Sequence, residues 1–144
     1  MAFRGTFDHT LDAKNRLTVP AKFRAALADG VVLARGSERC VEVWPAADYE
    51  RLHGAALEGL NPLASEAREL RRRLFGGAFD TELDGAGRVG LPPKLLEHAG
   101  LAREVAIVGA GDSLEIWDRG AWSSVDEDSP DRINELTRSL GHPS

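Results

Sequence analysis

The chain has 144 residues, 42% hydrophobic and 28% charged, with a formal net charge of −5. That is the composition of one globular unit with a sizeable core, not of a disordered or fibrous chain. One cysteine, Cys40, excludes an intramolecular disulfide and a multi-cysteine metal site, and no apolar run approaches the ~20 residues of a membrane span.

The net charge conceals a segregation. Residues 1–24 hold Arg4, Lys14, Arg16, Lys22 and Arg24 against Asp8 and Asp12, whereas residues 112–144 hold three arginines against eight acids. A basic beginning and an acidic end suggest a polyanionic partner at the basic end. The opening Met1–Asp8 lacks the apolar stretch of a signal peptide, so the expected location is cytoplasmic.

In chain order, Phe7 to Leu11 alternates as a strand, Asp12 to Asn15 reads as a turn, and Leu17-Thr18-Val19 is a β-branched strand. Pro20 suits the first turn of a short helix that turns Phe23 and Leu27 toward the core. Strands Val31–Ala34 and Val41–Trp44 follow, joined by a hairpin-like loop at Arg35–Glu38. Cys40 sits within this strand pattern and reads as a small buried hydrophobe. Pro45 begins a helix with Tyr49 and Leu52 on one face. Asn61-Pro62 forms an N-cap and first-turn pair for a second helix, with Leu63, Ala67, Leu70 and Leu74 at helical spacing. Glu69 and Arg73 form an i,i+4 pair there, and Arg71-Arg72-Arg73 reads first as its solvated face and second as a phosphate-binding patch.

From residue 77 the pattern starts again. Gly5–Lys22 aligns with Gly77–Lys94 at an offset of 72, with eight of 18 positions identical, and Glu42-Val43-Trp44 matches Glu115-Ile116-Trp117 after a one-residue slip. Leu95, Leu96 and Ala99 face the core in the second short helix, which Gly100 ends. Strands Glu104–Val108 and Leu114–Trp117 complete the unit around a loop at Gly109–Asp112. The divisions are therefore repeat one at 5–47, a helical linker at 48–76, repeat two at 77–120, and an acidic tail at 121–144. In the tail, Ser129-Pro130 starts a helix with Ile133, Leu136 and Leu140 on one face. One such repeat has unpaired strand edges and half a core, so two copies are expected to close one mainly β (α+β) barrel with pseudo-twofold symmetry and flanking helices. Trp44 and Trp117, equivalent at strand ends, read as core packing.

The duplicated turn carries the chemistry. Asp12 and Arg16, and again Asp84 and Arg88, stand four residues apart in the same turn. The acid can accept backbone N–H bonds and hold the arginine by a charge-assisted pair. Asn15 and Gly87, just before the arginines, both tolerate positive φ. Lys14 and Arg16 flank the tip in the basic segment, so Arg16 is expected to reach phosphate oxygens or the guanine edge. Arg88 is expected to matter more for its turn.

The run Phe3-Arg4-Gly5 with Leu11–Arg24, the second motif Leu83-Asp84, Gly87-Arg88 and Leu91-Pro92, and Glu115-Ile116-Trp117 together resemble the MraZ family over about residues 1–140. One departure is Asn15, where that family usually has glycine. The resemblance implies an AbrB- or SpoVT-like double-ψ, swapped-hairpin barrel built from two ββαββ repeats. It also implies a DNA-binding transcriptional regulator that assembles as a ring of identical subunits. Such a regulator would bind direct repeats in double-stranded DNA upstream of its own division and cell-wall operon, usually repressing it, on the nucleoid. By position it implies Arg16 and Lys14 as DNA contacts, with Arg4 and Lys22 in support, and no cofactor, metal or small-molecule substrate. A second reading is an AbrB-like antitoxin or interaction protein acting through the acidic tail. Enzymatic activity is not expected: His9, His53, His98 and His142 show no metal-ligand spacing, there is no phosphate loop or nucleophile elbow, and Asp12 and Asp84 each have an arginine to keep them ionised.

Overall fold

The computed structural model describes residues 1–125 and 130–141. Its strands are β1 (Thr6–Thr10), β2 (Arg16–Thr18), β3 (Val31–Arg35), β4 (Val41–Pro45), β5 (Phe79–Thr81), β6 (Arg88–Gly90), β7 (Glu104–Gly109) and β8 (Leu114–Asp118). The α-helices are α1 (Ala46–Glu58), α2 (Ser65–Arg71), α3 (Pro93–Ala99), α4 (Arg119–Val125) and α5 (Pro130–Ser139). All strand pairs are antiparallel. Six strands form one sheet in the order β1-β7-β8-β4-β3-β5, and β2 pairs with β6 in a two-stranded ribbon.

The pairing is exchanged between repeats. Among the described residues β1 pairs only with β7 of the second repeat, and β5 only with β3 of the first. Leu17 stands opposite Val89 in the ribbon and Glu42 opposite Glu115 in the sheet, so equivalent residues meet on one pseudo-twofold axis. The chain is thus an α+β, AbrB-like barrel whose strands wrap one core as a sheet plus a ribbon. That core takes Leu11, Leu17, Val19, Leu27 and Leu33 from the first repeat and Val89, Leu91, Leu95, Ile107 and Ile116 from the second. Neither half could bury these side chains alone, each worth roughly 1.5–3 kcal/mol on burial.

The segment after Pro20 is two 3-10 turns, Ala21–Phe23 and Ala25–Leu27, and its equivalent α3 is a true α-helix. Gly100, at φ 62°, closes α3: Leu101 N–H donates to Leu96 O at 3.0 Å and Gly100 N–H to Glu97 O at 3.2 Å.

The outer face of the sheet carries two smaller clusters. Trp44 packs with Val32 and Tyr49 under α1, and Trp117 packs with Ala106, Cys40 and Trp122 under α4. The Trp44–Tyr49 and Trp117–Trp122 ring centroids lie 5.7 and 5.6 Å apart. Cys40 is buried, which raises its thiol pKa well above the ordinary value.

Four linker and tail expectations need correction. Asn61 Oδ1 accepts Leu63 N–H at 3.0 Å, and Asn61 O accepts Ala64 N–H at 3.1 Å. That pair therefore caps an isolated turn, and the helix starts only at Ser65. Leu52, Leu63 and Leu70 are exposed, and the buried linker positions are Tyr49, Leu57 and Ala67. After Arg71 the chain widens into a π-helical turn, Arg72–Gly76, which changes the helical spacing that Leu74 was expected to follow. Ile133 and Leu136 do lie on helix α5 and Leu140 in the turn just after it, but all three are exposed, so the stripe packs on nothing among the described residues. Ser129 lies outside the described residues.

Candidate functional site

Each Asp–Arg motif builds the same closed turn. Asp12 Oδ1 accepts the N–H groups of Lys14 and Arg16, both at 2.9 Å, and Asp12 Oδ2 accepts Arg16 Nε–H at 2.7 Å. Backbone bonds run from Asp12 N to Arg16 O at 3.1 Å and from Asn15 N to Asp12 O at 2.9 Å. In the second copy Asp84 Oδ1 accepts Ala86 N–H at 3.0 Å and Arg88 N–H at 2.9 Å, and Oδ2 accepts Arg88 Nε–H at 2.9 Å. Asn15 takes φ 56° and Gly87 φ 76°, the left-handed conformation that lets the turn close.

These bonds fix the charge state. The Arg16 backbone N–H, followed by its guanidinium and the Lys14 N–H, pulls the Asp12 pKa down to about 2. The equivalent donors lower Asp84. Both acids therefore stay ionised, and each holds only the Nε edge of its arginine. The two terminal nitrogens of each guanidinium make no hydrogen bond among the described residues. A guanidinium pinned at Nε presents a pre-set fork to a ligand, at little further entropic cost.

The ribbon brings both forks to one face. Leu17 and Val89 point into the core, so Arg16, Thr18, Arg88 and Gly90 point away from it. Arg16 stands opposite Gly90 and Arg88 opposite Thr18. The two arginines are diagonal neighbours, which in an antiparallel pair means roughly 7–8 Å between positions. Their side chains are 32% and 33% exposed, so neither is sequestered in the core. The ribbon is clamped at both ends, by Val19 N–H to Gly87 O at 2.9 Å and Leu91 N–H to Asn15 O at 3.0 Å. Each turn tip is thus held by the strand of the other repeat.

Lys14 lies on the first tip, exposed. The second tip, Gly85-Ala86-Gly87, has no basic residue of its own, but Arg24 supplies one. Its Nε donates to Val19 O at 2.9 Å, and a Cβ on Gly87 would lie 2.3 Å from that nitrogen. Sequence reading missed this because the two residues are 63 positions apart. The only signal was the missing side chain at Gly87. Lys22 is placed elsewhere: its ammonium lies 4.6 Å from the Phe7 ring centre and 5.0 Å from that of Phe23, a cation–π arrangement. Arg4 follows Phe3, which bridges to Gly111 on the β7–β8 hairpin. The structure thus joins Lys14 with Arg16 and adds Arg88 and Arg24. Among the described residues no cluster of His, Cys, Asp or Glu could hold a metal ion, and no helix is long and apolar enough to cross a membrane.

Residues 2–72 and 74–140 match the family model described as "MraZ protein, putative antitoxin-like". The chain is 48% identical over 122 residues to a protein of Paenarthrobacter aurescens, covering 84% of each. It is 46% identical over 123 residues to one of Micrococcus luteus, covering 85% of each. A protein of Symbiobacterium thermophilum is 38% identical over 137 residues, 95% of this chain and 99% of the relative. All three relatives are named "Transcriptional regulator MraZ".

Proposed function

This chain belongs to the MraZ family, and on that premise we propose that it is a DNA-binding transcriptional regulator whose contact surface is the outer face of the β2–β6 ribbon. One observation carries the reading: two partly exposed arginine forks, each pinned at Nε by its own aspartate, sit side by side on a two-stranded ribbon. A major groove about 12 Å wide admits such a ribbon, and an arginine fork matches guanine O6 and N7 or a phosphate. Arg16 and Lys14 are the principal contacts, Arg88 and Arg24 extend the surface across the axis, and Arg4 and Lys22 lie beyond the ribbon as supporting charge.

The finer reading follows the family. The protein assembles as a ring of identical subunits. It binds direct repeats upstream of its own division and cell-wall operon and represses it from the nucleoid. A ring answers the net charge of −5: it sets many copies of one basic face side by side, so that weak phosphate contacts add through effective concentration. The test is a gel-shift titration on the DNA upstream of the protein's own gene, run at two salt concentrations beside a scrambled fragment of equal length. A shift favouring the native fragment and weakening with salt is the expected result. Equal affinity for both fragments, or binding indifferent to salt, refutes the reading.

A further inference from the structure

Away from the ribbon, an open cleft of about 960 Å³ lies between the β3–β4 turn, the π-helical turn and α3. Its cations are Arg35, Arg39, Arg72, Arg73 and Lys94, and its acids are Glu69 and Glu97. Arg73 is tied to Glu69 at 3.2 Å, whereas Arg35, Arg39, Arg72 and Lys94 have no ion-pair partner among the described residues. A net-negative chain thus keeps a net-positive hollow. The walls are fixed: His98 Nε2–H donates to Gly36 O at 3.2 Å and Glu38 O at 3.0 Å, which ties α3 to the β3–β4 turn. Arg35 packs against Gly77, where a Cβ would lie 3.0 Å from its guanidinium. Partly exposed Phe79, beside Gly76 with no side chain, gives the cleft an apolar floor.

The same chain carries a segment of matching chemistry. Helix α5 and the turn that follows it expose Ile133, Leu136 and Leu140 at 63%, 46% and 76%, in the i, i+3, i+7 spacing of one stripe. A lone ten-residue helix is marginal in water, so one with an unburied stripe needs a surface to form on. Asp126, Glu127 and Asp128, outside the described residues, and Asp131 give the entry to this helix four acids. No residue of α5 lines the chain's own cleft.

We propose that the cleft of one copy receives the C-terminal segment, residues 126–141, of a second copy, with the acids on Arg39, Arg72 and Lys94 and the stripe over Phe79. This supplies a contact for the self-association proposed above, rests on that part of the reading alone, and is independent of DNA binding. A mixed-polar hollow with an apolar floor favours an amphipathic acidic segment over a convex phosphate backbone.

The test co-expresses two full-length chains with different tags, Glu97→Cys in one and Leu136→Cys in the other, and treats them with a short bis-maleimide that buried Cys40 does not meet. A crosslink joining the two tags is expected. It should fall roughly tenfold with Arg39→Glu/Arg72→Glu, if that variant melts like the parent, or at about 1 M salt, where the screening length is roughly 3 Å. In a companion chain carrying both substitutions, a crosslink that forms within that chain while none joins the two tags overturns the proposal. So does an oligomeric mass without any crosslink, which would leave self-association standing. A monomeric mass removes both. Loss of the crosslink on adding duplex DNA, with weaker DNA binding by Arg39→Glu/Arg72→Glu, overturns it in favour of a phosphate-binding cleft.

Discussion

At Asp12 one carboxylate closes the turn with one oxygen and orients an arginine with the other. Its pKa, held near 2 against an ordinary 3.8, carries a signed consequence. The folded state binds this proton less tightly than the unfolded chain, so the stabilisation is complete above the unfolded value. It is lost as pH falls from about 4 toward 2. Thermal melts of the wild type and Asp12→Asn should differ near neutral pH and converge across that window; a gap independent of pH would contradict the assignment. For DNA, Arg16→Ala is expected to lose about tenfold or more in affinity, within the range of one bidentate contact. Arg88→Ala should lose less. Lys14→Ala should reduce the salt slope by about one phosphate contact. The Asp–Arg spacing made the turn legible from sequence, because every bond in it is local. That both arginines share one face was not legible. It depends on Leu17 meeting Val89, a pairing across 72 positions.

At the scale of elements, strands and hairpins could be read because their period and turn residues are local. The linker helix could not be placed at Asn61-Pro62, because Asn61 spends its cap on a turn of its own. The repeat also extends further than the matched residues showed: α1 and α4 follow β4 and β8 equivalently, each laying an aromatic, Tyr49 or Trp122, on the preceding tryptophan. An aromatic five residues after each Trp was the available signal, obscured by the lack of identity around it. Two substitutions probe these elements. Gly87→Ala places a side chain at φ 76° and against Arg24. It should destabilise by about 1–2 kcal/mol, as the left-handed conformation dictates, whereas Asn15→Gly should stay within about 0.5 kcal/mol. Denaturant titrations of both compare them directly. Glu42 faces Glu115 across the β4–β8 pair and accepts Trp44 Nε1–H at 2.9 Å. Burial, with Glu115 adding to it, raises its pKa. The folded state therefore favours the protonated form, and the ionised form weakens folding at neutral pH. Glu42→Gln keeps an acceptor for Trp44 and should raise stability by roughly 0.2–1 kcal/mol at pH 7. A lower melting temperature would show that the charge itself is needed.

Across the whole molecule, duplication accounts for both fold and surface. Exchanged pairing of β1 with β7 and β5 with β3 makes each repeat complete the other, and the same axis turns one Asp–Arg motif into a paired surface. Charge is divided accordingly, with basic turn tips on the ribbon, a basic cleft beside α3 and an acidic C-terminal segment. The barrel was legible because a half-core repeated twice has few ways to close. The cleft was not, since Arg39, Arg72 and Lys94 come from three separate parts of the chain. The central claim, that the ribbon's outer face holds DNA, is tested most directly by one titration. Wild type and the Arg16→Ala/Arg88→Ala double variant, matched for melting temperature and mass, are each titrated against the upstream DNA at two salt concentrations. The account predicts loss of nearly all specific binding by the double variant and a shallower salt dependence of what remains. Binding within about twofold of wild type at both salts, well under the tenfold that corresponds to 1.4 kcal/mol, would contradict it.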